Sequence, residues 1–130
     1  MIYLDSAATT RVSDGVMEAM LPYFQEQFAN AGSVHYFGSR SANAVKRARA
    51  QIAEFFGANP EQIIFTSGGT EGNHFALHSP SERLLQDGKR HIIVSSVEHD
   101  SVLRAAESLM KHGFYIDYLP VNQHGSVEYD

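Results

Sequence analysis

Apolar positions recur at helical spacing in two segments of the first half of the sequence. The earlier segment carries apolar residues within 16–21, and Ser13 or Asp14 can cap the helix that it predicts. The later segment predicts a helix from about Arg40 to Phe56, because its apolar residues are spaced three and four apart. Gly57 follows directly and supplies the left-handed residue that commonly ends a helix.

Short continuous apolar runs occur at three later places and predict strands. The runs are Ile63–Phe65, His91–Val94 and Phe114–Leu119. The first two are typical of strands that are buried on both faces. Strands that alternate with helices predict an α/β fold with a largely parallel sheet and flanking helices.

The segments around these strands have local signals of their own. Helical residues follow the first run as far as Leu77, and Asp100 or Ser101 can cap a helix that ends at Gly113. The stretch from Phe28 to Gly38 has no sustained period, so it predicts a loop.

The sequence reaches Asp130 directly after a predicted turn at Asn122–Gly125. No closing element is recognisable there, and a sheet of about three strands would have an exposed edge and few covering helices. We therefore expect the chain to be a piece of a larger fold.

The composition is that of a globular protein and excludes several classes of function. The 130 residues are 43% hydrophobic, carry a formal net charge of -5 and include no cysteine. The acidic balance argues against nucleic-acid binding, and the missing thiol excludes disulfides, thiolate metal sites and a cysteine nucleophile in these residues. No apolar run is long enough for a membrane span and no signal peptide is recognisable, so we expect a cytoplasmic protein.

The strongest local signal for a binding site is the segment Ser67–Glu71, between a predicted strand and a predicted helix. Its two glycines permit close backbone approach, and the N–H groups of the first helical turn favour an anion. The Thr70 hydroxyl adds a donor. The same residues are equally compatible with a plain turn in which Thr70 caps the helix. No Gly-Lys-Ser/Thr or GxGxxG pattern is present, so a single phosphate fits better than ATP or a dinucleotide.

A second signal, Glu98-His99-Asp100, follows the next predicted strand. The carboxyl ends of neighbouring parallel strands open onto one crevice, so His99 and the turn at Thr70 are expected at the same edge of the sheet. An imidazole there can stack on a flat ring or act as a base. A loop histidine that forms a capped, solvated pair with the following aspartate is the alternative interpretation.

Seven histidines raise the question of a metal site, but their spacing does not support one. Only His74 and His78 form an i, i+4 pair on a predicted helix, and neither a Glu-x-x-His motif nor a cysteine ligand accompanies them. We predict no metal site.

Several motifs occur together here in the order and spacing found in cysteine desulfurases of the class V aminotransferase group. They are Tyr3–Thr10, Ala19–Tyr23, Asn30–Gly38, Phe65–Asn73, Glu98-His99 and Leu119–Val121 with Gly125. The sequence resembles this family over essentially its whole length, and it is more similar to the NifS/IscS-like branch than to the SufS-like one.

The resemblance implies a fold type I enzyme that binds pyridoxal phosphate (PLP) and forms a homodimer. It implies that the backbone N–H groups of Gly69 and Thr70, with the Thr70 hydroxyl, hold the cofactor phosphate. It also implies that His99 stacks on the pyridine ring and can shuttle protons as a catalytic residue. Asn30 and His35 would lie in a loop near the mouth of the active site.

The implied reaction converts L-cysteine to L-alanine and leaves the sulfur as an enzyme persulfide for iron–sulfur cluster or tRNA sulfur supply, with an acceptor or scaffold protein as partner. The family's Schiff-base lysine, its aspartate at the pyridinium nitrogen, its substrate-binding arginine and its catalytic cysteine would all lie beyond Asp130. The isolated chain is therefore expected to be inactive. Residues 1–14 are expected to pack with a small domain, and 15–130 to form the first part of the large, PLP-binding domain.

The sequence departs from the family pattern at three positions that we recognise, and none of them is a cofactor contact. Ser6 stands where Asn is usual, Arg11 where Pro is common, and Gly72 where Ala or Ser is usual. Two alternatives remain open at this stage. One is a piece of another class V enzyme, such as a selenocysteine lyase. The other is a non-catalytic binding or assembly module.

Overall fold

A computed structural model of the protein describes residues 2–127. They fall into two compact units, and the division lies between Ile64 and Phe65. The sequence predicted that no element closes the fold at the end of the chain. This prediction falls on Glu128–Asp130, which lie outside the described residues.

The first unit consists of two α-helices and a short 3-10 helix. Helix α1 spans Asp14–Gln25, α2 spans Tyr36–Phe56, and the 3-10 helix spans Pro60–Gln62. The predicted end of α2 is confirmed: Gly57 adopts the left-handed conformation with φ of 62°. Only glycine takes this conformation without steric cost, which is why the helix ends there.

The start of α2 differs from the prediction, because the helix begins at Tyr36 rather than near Arg40. His35 is its N-cap, and the His35 Nδ1 atom accepts a hydrogen bond from the Gly38 N–H at 3.2 Å. The predicted loop from Phe28 to Gly38 is therefore wrong over its last three residues. Histidine is not among the usual capping residues, so the sequence signal was missed.

Helix α1 forms where the apolar spacing predicted it, but none of its residues is buried. Val16, Met17 and Leu21 are 46–50% exposed, and Phe24 is 68% exposed. The apolar stripe of α1 is therefore exposed on the surface of the first unit. Residues 2–13 form no helix or strand and are all exposed, so the expected packing of segment 1–14 on another domain stays a prediction.

The second unit combines three helices with a two-stranded parallel sheet. Helix α3 spans Gly69–His78, α4 spans Ser81–Gln86 and α5 spans Asp100–Met110. Strands β1 and β2 span His91–Ser95 and Tyr115–Leu119, with His91 opposite Tyr115 and Ser95 opposite Leu119. The predicted parallel pairing is confirmed.

The core of the second unit lies between α5 and the sheet. The buried apolar residues there are Val94, Ala105, Ala106, Leu109 and Phe114. Helix α5 supplies three of them, Ala105, Ala106 and Leu109, from one face. This burial fixes α5 firmly, and α5 in turn positions residues on its other faces.

The predicted strand at Ile63–Phe65 does not form in the described residues. The backbone at Ile63 is extended, with φ of -93° and ψ of 123°, but the sheet contains only β1 and β2. Ile64 is 56% exposed and Phe65 is 46% exposed, so the predicted burial is also wrong. A strand is defined by hydrogen bonding to a neighbouring strand, and an apolar run cannot supply that neighbour by itself.

Within residues 2–127, no helix combines the length and the apolarity that a membrane crossing requires.

Close backbone packing at Gly38 leads to a testable stability difference in the first unit. A Cβ atom at Gly38 would overlap the backbone carbonyl of Ser33, whereas a Cβ at Gly15 in α1 would meet nothing within 4 Å. We expect Gly38→Ala to lower the free energy of unfolding by about 1–3 kcal/mol, as overpacking does. Gly15→Ala should be neutral or stabilise by up to about 1 kcal/mol, because alanine favours helix. Urea denaturation followed by circular dichroism measures both variants, and equal stability of the two would contradict the packing argument.

Candidate functional site

The N-terminus of α3 carries the predicted phosphate-binding residues. Gly69 and Thr70 are the first two residues of the helix, and Gly68 precedes it. The first turn of any α-helix leaves N–H groups without acceptors inside the helix, and the helix dipole adds partial positive charge there. Together with the Thr70 hydroxyl, these N–H groups form a donor set that suits one phosphate group.

Glu71 fixes the turn that leads into α3. The Ser67 backbone N–H donates a hydrogen bond to the Glu71 carboxylate. This bond is the main reason that the pKa of the Glu71 carboxyl lies below its ordinary value of 4.5, and the Ser67 side chain lowers the pKa further. The Glu71 carboxylate therefore binds the turn that precedes α3. This contact fixes the turn relative to the first helical N–H groups.

The two glycines of this turn serve a simpler purpose than a special conformation. The φ of Gly68 is 168°, which is extended backbone, and Gly69 is already helical. A Cβ atom at either position would meet nothing within 4 Å. The space beside both glycines at the helix terminus is therefore open, which is compatible with close approach of a ligand to the backbone.

His99 lies at the N-terminus of α5, where it is the N-cap. Its Nδ1 atom accepts a hydrogen bond from the Ser101 N–H at 3.1 Å. The sequence predicted Asp100 or Ser101 as the cap, and this was wrong: Asp100 is already the first helical residue. The His99 ring is tied to the helix that it begins and is exposed to solvent, so the alternative of a capped, solvated histidine is consistent with the structure.

Thr70 and His99 line the same cleft, which has a volume of about 410 Å³. Its walls are residues of α3 and α5 together with the cap His99. The lining residues are Thr70, His74, His99, Asp100, Ser101, Arg104, Ala105 and Ser108. Gly69 is adjacent to Thr70 in α3 but is not one of them. The volume falls within the range of pockets that bind small molecules.

Helix packing brings Thr70 and His99 together. The Asn73 side-chain amide donates to the Ser101 hydroxyl at 2.8 Å, which links α3 to the first turn of α5. His78 Nε2 is 2.8 Å from the Ser108 hydroxyl near the other ends of the two helices. The carboxyl ends of two neighbouring strands, which the sequence predicted would bring these residues together, do not do so, because the first of those strands is not formed in the described residues.

Sequence reasoning missed several residues of this cleft, and their spacing contained a usable signal. His74, which lines the cleft, and Asn73, which bonds to the lining residue Ser101, follow Thr70 by four and three positions, so both lie on the same face of α3 as Thr70. Ser101, Arg104, Ala105 and Ser108 are likewise spaced three and four apart along α5. A polar stripe at helical spacing beside a predicted anion site would have identified them.

The charges in the cleft are balanced, and the histidines form no metal centre. Asp100 contributes a carboxylate, and the Arg104 guanidinium is 3.2 Å from the Glu107 carboxylate. The rings of His74 and His78 stack in parallel with centroids 4.0 Å apart. Over residues 2–127, no group of three or more His, Cys, Asp or Glu side chains could hold a metal ion.

Asn30 and His35 lie in the first unit, where they line a different cavity of about 440 Å³ with Phe28 and Phe37. The His35 ring also caps α2. The prediction that both residues stand near the mouth of the active site stays a prediction.

The residues present fit a small molecule that carries one phosphate and a flat ring. The α3 terminus supplies the phosphate donors, and the imidazole of His99 lies in the same cleft. None of the described residues that line the cleft is a lysine. The arrangement can therefore bind and orient such a molecule, but it offers no amine for covalent attachment.

Comparison with known proteins gives a consistent result over the whole chain. The sequence profile of the class-V aminotransferase family matches residues 2–130. The chain is 47% identical over 129 residues to the cysteine desulfurase IscS of Dictyoglomus turgidum, which covers 99% of this chain and 32% of that protein. The chain thus spans about a third of the length of the curated relatives that it matches.

Solved structures agree with the fold that the sequence predicted. A NifS-like protein matches with a TM-score of 0.87 and 35% identity, over 98% of this chain and 35% of the other. A structure described as SspA in complex with cysteine matches with a TM-score of 0.79 and 40% identity, over 89% of this chain and 33% of the other. The predicted class, part of an α/β PLP-enzyme domain with a parallel sheet and flanking helices, is confirmed.

The lowered pKa of Glu71 predicts how the stability of the second unit depends on pH. A carboxyl whose folded-state pKa is depressed stabilises the fold above its ordinary pKa, and this contribution is lost as the pH falls toward the folded-state value. We expect the wild type to exceed Glu71→Gln in stability at neutral pH, and the difference to shrink below pH 4.5. Urea denaturation between neutral pH and about pH 3 measures it.

A shortened acid tests the geometry of the same contact. Glu71→Asp keeps the charge but shortens the arm that reaches the Ser67 N–H, so it should lose most of the pH-dependent difference. Carbon-detected NMR titration of the carboxyl reads the pKa directly. A Glu71 that titrates at or above 4.5 would contradict the assignment.

Proposed function

Because the chain belongs to the class-V aminotransferase family, we propose that it is the N-terminal third of a PLP-dependent cysteine desulfurase. The observation that carries this proposal is the joint lining of one cleft by Thr70 and His99. Further support comes from the relatives, which are named cysteine desulfurases and match over nearly the whole chain. The solved relative in complex with cysteine supports an amino-acid thiol as substrate.

In this proposal, α3 holds the cofactor phosphate. The N–H groups of Gly69 and Thr70 and the Thr70 hydroxyl are the donors, and the dipole of a ten-residue helix favours the negative charge. The open space above Gly68 and Gly69 lets the phosphate approach the backbone. These donors bind and orient, and they take no part in bond breaking.

In the same proposal, the imidazole of His99 would stack on the cofactor ring and would hold a proton beside it. Its position as a helix cap restricts the rotation of the imidazole, which suits a residue that stacks on a planar ring. When bound, PLP supplies the electron sink that such chemistry requires. The complete enzyme converts L-cysteine to L-alanine and retains the sulfur as a persulfide on an enzyme cysteine.

The isolated chain lacks the groups for that reaction. It has no cysteine, and its three lysines, Lys46, Lys89 and Lys111, are not among the residues that line the cleft. We therefore propose that this segment binds and orients the cofactor, while the nucleophiles come from elsewhere in a longer, homodimeric, cytoplasmic enzyme. The sulfur then passes to an acceptor or scaffold protein.

Replacing Thr70 tests the phosphate site in an enzyme that contains this segment. Thr70→Ala removes one hydrogen bond to a charged group, so we expect affinity for PLP to fall by about tenfold or more. Thr70→Ser keeps the hydroxyl and should restore affinity. Thr10→Ala, an exposed threonine outside the cleft, is the matched control. Absorbance titration of the apoenzyme with PLP measures all three variants, and unchanged affinity in Thr70→Ala would refute the assignment.

The 130-residue chain itself tests where the reactive amine lies. After incubation with PLP and reduction with borohydride, we expect no single lysine to be labelled preferentially, because no lysine lines the cleft. Peptide mass spectrometry compares labelling at Lys46, Lys89 and Lys111 with that of an unstructured lysine peptide. Selective labelling of one of them, accompanied by alanine release from cysteine, would show that this chain is catalytic by itself.

A further inference from the structure

We propose that Ser101 is a positioning residue for His99, and that Asn73 orients the Ser101 hydroxyl so that the proton of the neutral imidazole stays on Nε2. The tautomer follows from hydrogen-bond geometry alone. Its consequence for turnover rests on the proposed function.

The backbone determines the first part of this assignment. The Ser101 N–H lies 3.1 Å from His99 Nδ1, and a backbone N–H can only donate. His99 Nδ1 must therefore accept, which means that it carries no proton. A neutral imidazole has one N–H, so the proton lies on Nε2.

The Ser101 side chain reinforces the same tautomer. Its Oγ atom is 2.8 Å from His99 Nδ1 and 2.8 Å from the Asn73 amide nitrogen. The amide nitrogen is a donor, so the serine oxygen accepts from Asn73 and its only hydrogen is directed to His99. Two donors thus converge on one ring nitrogen, and the chain from α3 to the ring is Asn73 to Ser101 to His99.

His78 forms an instructive contrast on the same pair of helices. The Ser108 hydroxyl donates to the Ala105 carbonyl at 2.7 Å, and His78 Nε2 lies 2.8 Å from that hydroxyl oxygen. His78 Nε2 must therefore donate, so its N–H is used in helix packing. His99 uses its acceptor nitrogen for packing and keeps its N–H available.

The available group determines what His99 can do in the cleft. Its Nδ1 is engaged in the cap, so Nε2 is the polar atom that remains, and it offers a proton rather than a lone pair. A bound molecule with an acceptor oxygen or nitrogen is therefore favoured at this position. The cap therefore presents the Nε2 N–H of the neutral ring, rather than a lone pair, to a bound molecule.

Nitrogen NMR of the chain labelled at histidine tests the tautomer without cofactor or activity. At a pH about two units above the ordinary histidine pKa of about 6.5, we expect Nδ1 of His99 to have the shift of an unprotonated nitrogen and Nε2 that of a protonated one. His99→Gln assigns the signals. A wild-type His99 with the averaged shifts of free histidine overturns the proposal.

Three variants test the role of the hydroxyl. Ser101→Ala removes the hydroxyl donor to His99 Nδ1 but keeps the backbone N–H donor, so the His99 shifts should move only part of the way toward the averaged values. Ser101→Thr should restore them. Asn73→Asp should act like Ser101→Ala, because a carboxylate accepts the hydroxyl proton and draws it away from the ring. Ser108→Ala is the matched control, since it loosens the same helix pair and should leave His99 unchanged. Identical His99 shifts in wild type and Ser101→Ala overturn the assignment of Ser101.

Kinetics of a longer enzyme that contains this segment test the consequence. Ser101→Ala should lower kcat by roughly tenfold, a part of the roughly hundredfold or more that a preorganised hydrogen-bond donor supplies, with PLP affinity and KM for cysteine unchanged. Ser101→Thr should restore kcat. An unchanged kcat in Ser101→Ala overturns the positioning role. An enzyme without desulfurase activity overturns the proposed function instead, and the NMR result then decides the tautomer separately.

Discussion

The packing of α3 against α5 is the contact on which the candidate site depends. Asn73 bonds to Ser101 near one end of the pair, and His78 bonds to Ser108 near the other. Both bonds are partly buried, where an unsatisfied polar group is costly, so they fix the register of one helix on the other. Helix α5 is itself held by the apolar face that it buries against the sheet. The anion-binding terminus of α3 is thereby held at the edge of the cleft that His99 also lines.

His99 combines a structural and a chemical task in one side chain. A serine or aspartate at this position would cap α5 equally well, but it would not place an imidazole in the cleft. A free loop histidine would place the ring without restraining it. The cap occupies Nδ1 of the ring and leaves Nε2 available to the cleft. Formation of α5 and the orientation of the His99 ring are therefore coupled.

Much of the apolar surface that the sequence pattern predicted as core is exposed in the described residues. Helix α1 buries none of its stripe, and Ile64 and Phe65 remain about half exposed. Contiguous exposed apolar surface usually marks a contact with other protein. The chain spans about a third of the length of the curated relatives that it matches.

The sequence by itself determined several local elements: the end of α2 at Gly57, the parallel strand pair, and the donor-rich turn before Thr70. Those features follow from neighbouring residues, whose spacing and conformational limits are visible in the chain. Only the tertiary structure decided which of them meet. In the tertiary structure, the run at 63–65 is not part of the sheet, and His99 caps α5. Asn73 bonds to Ser101, which lies 28 positions further along the chain. Such pairings depend on the register of packed helices, which periodicity restricts to a face but does not specify.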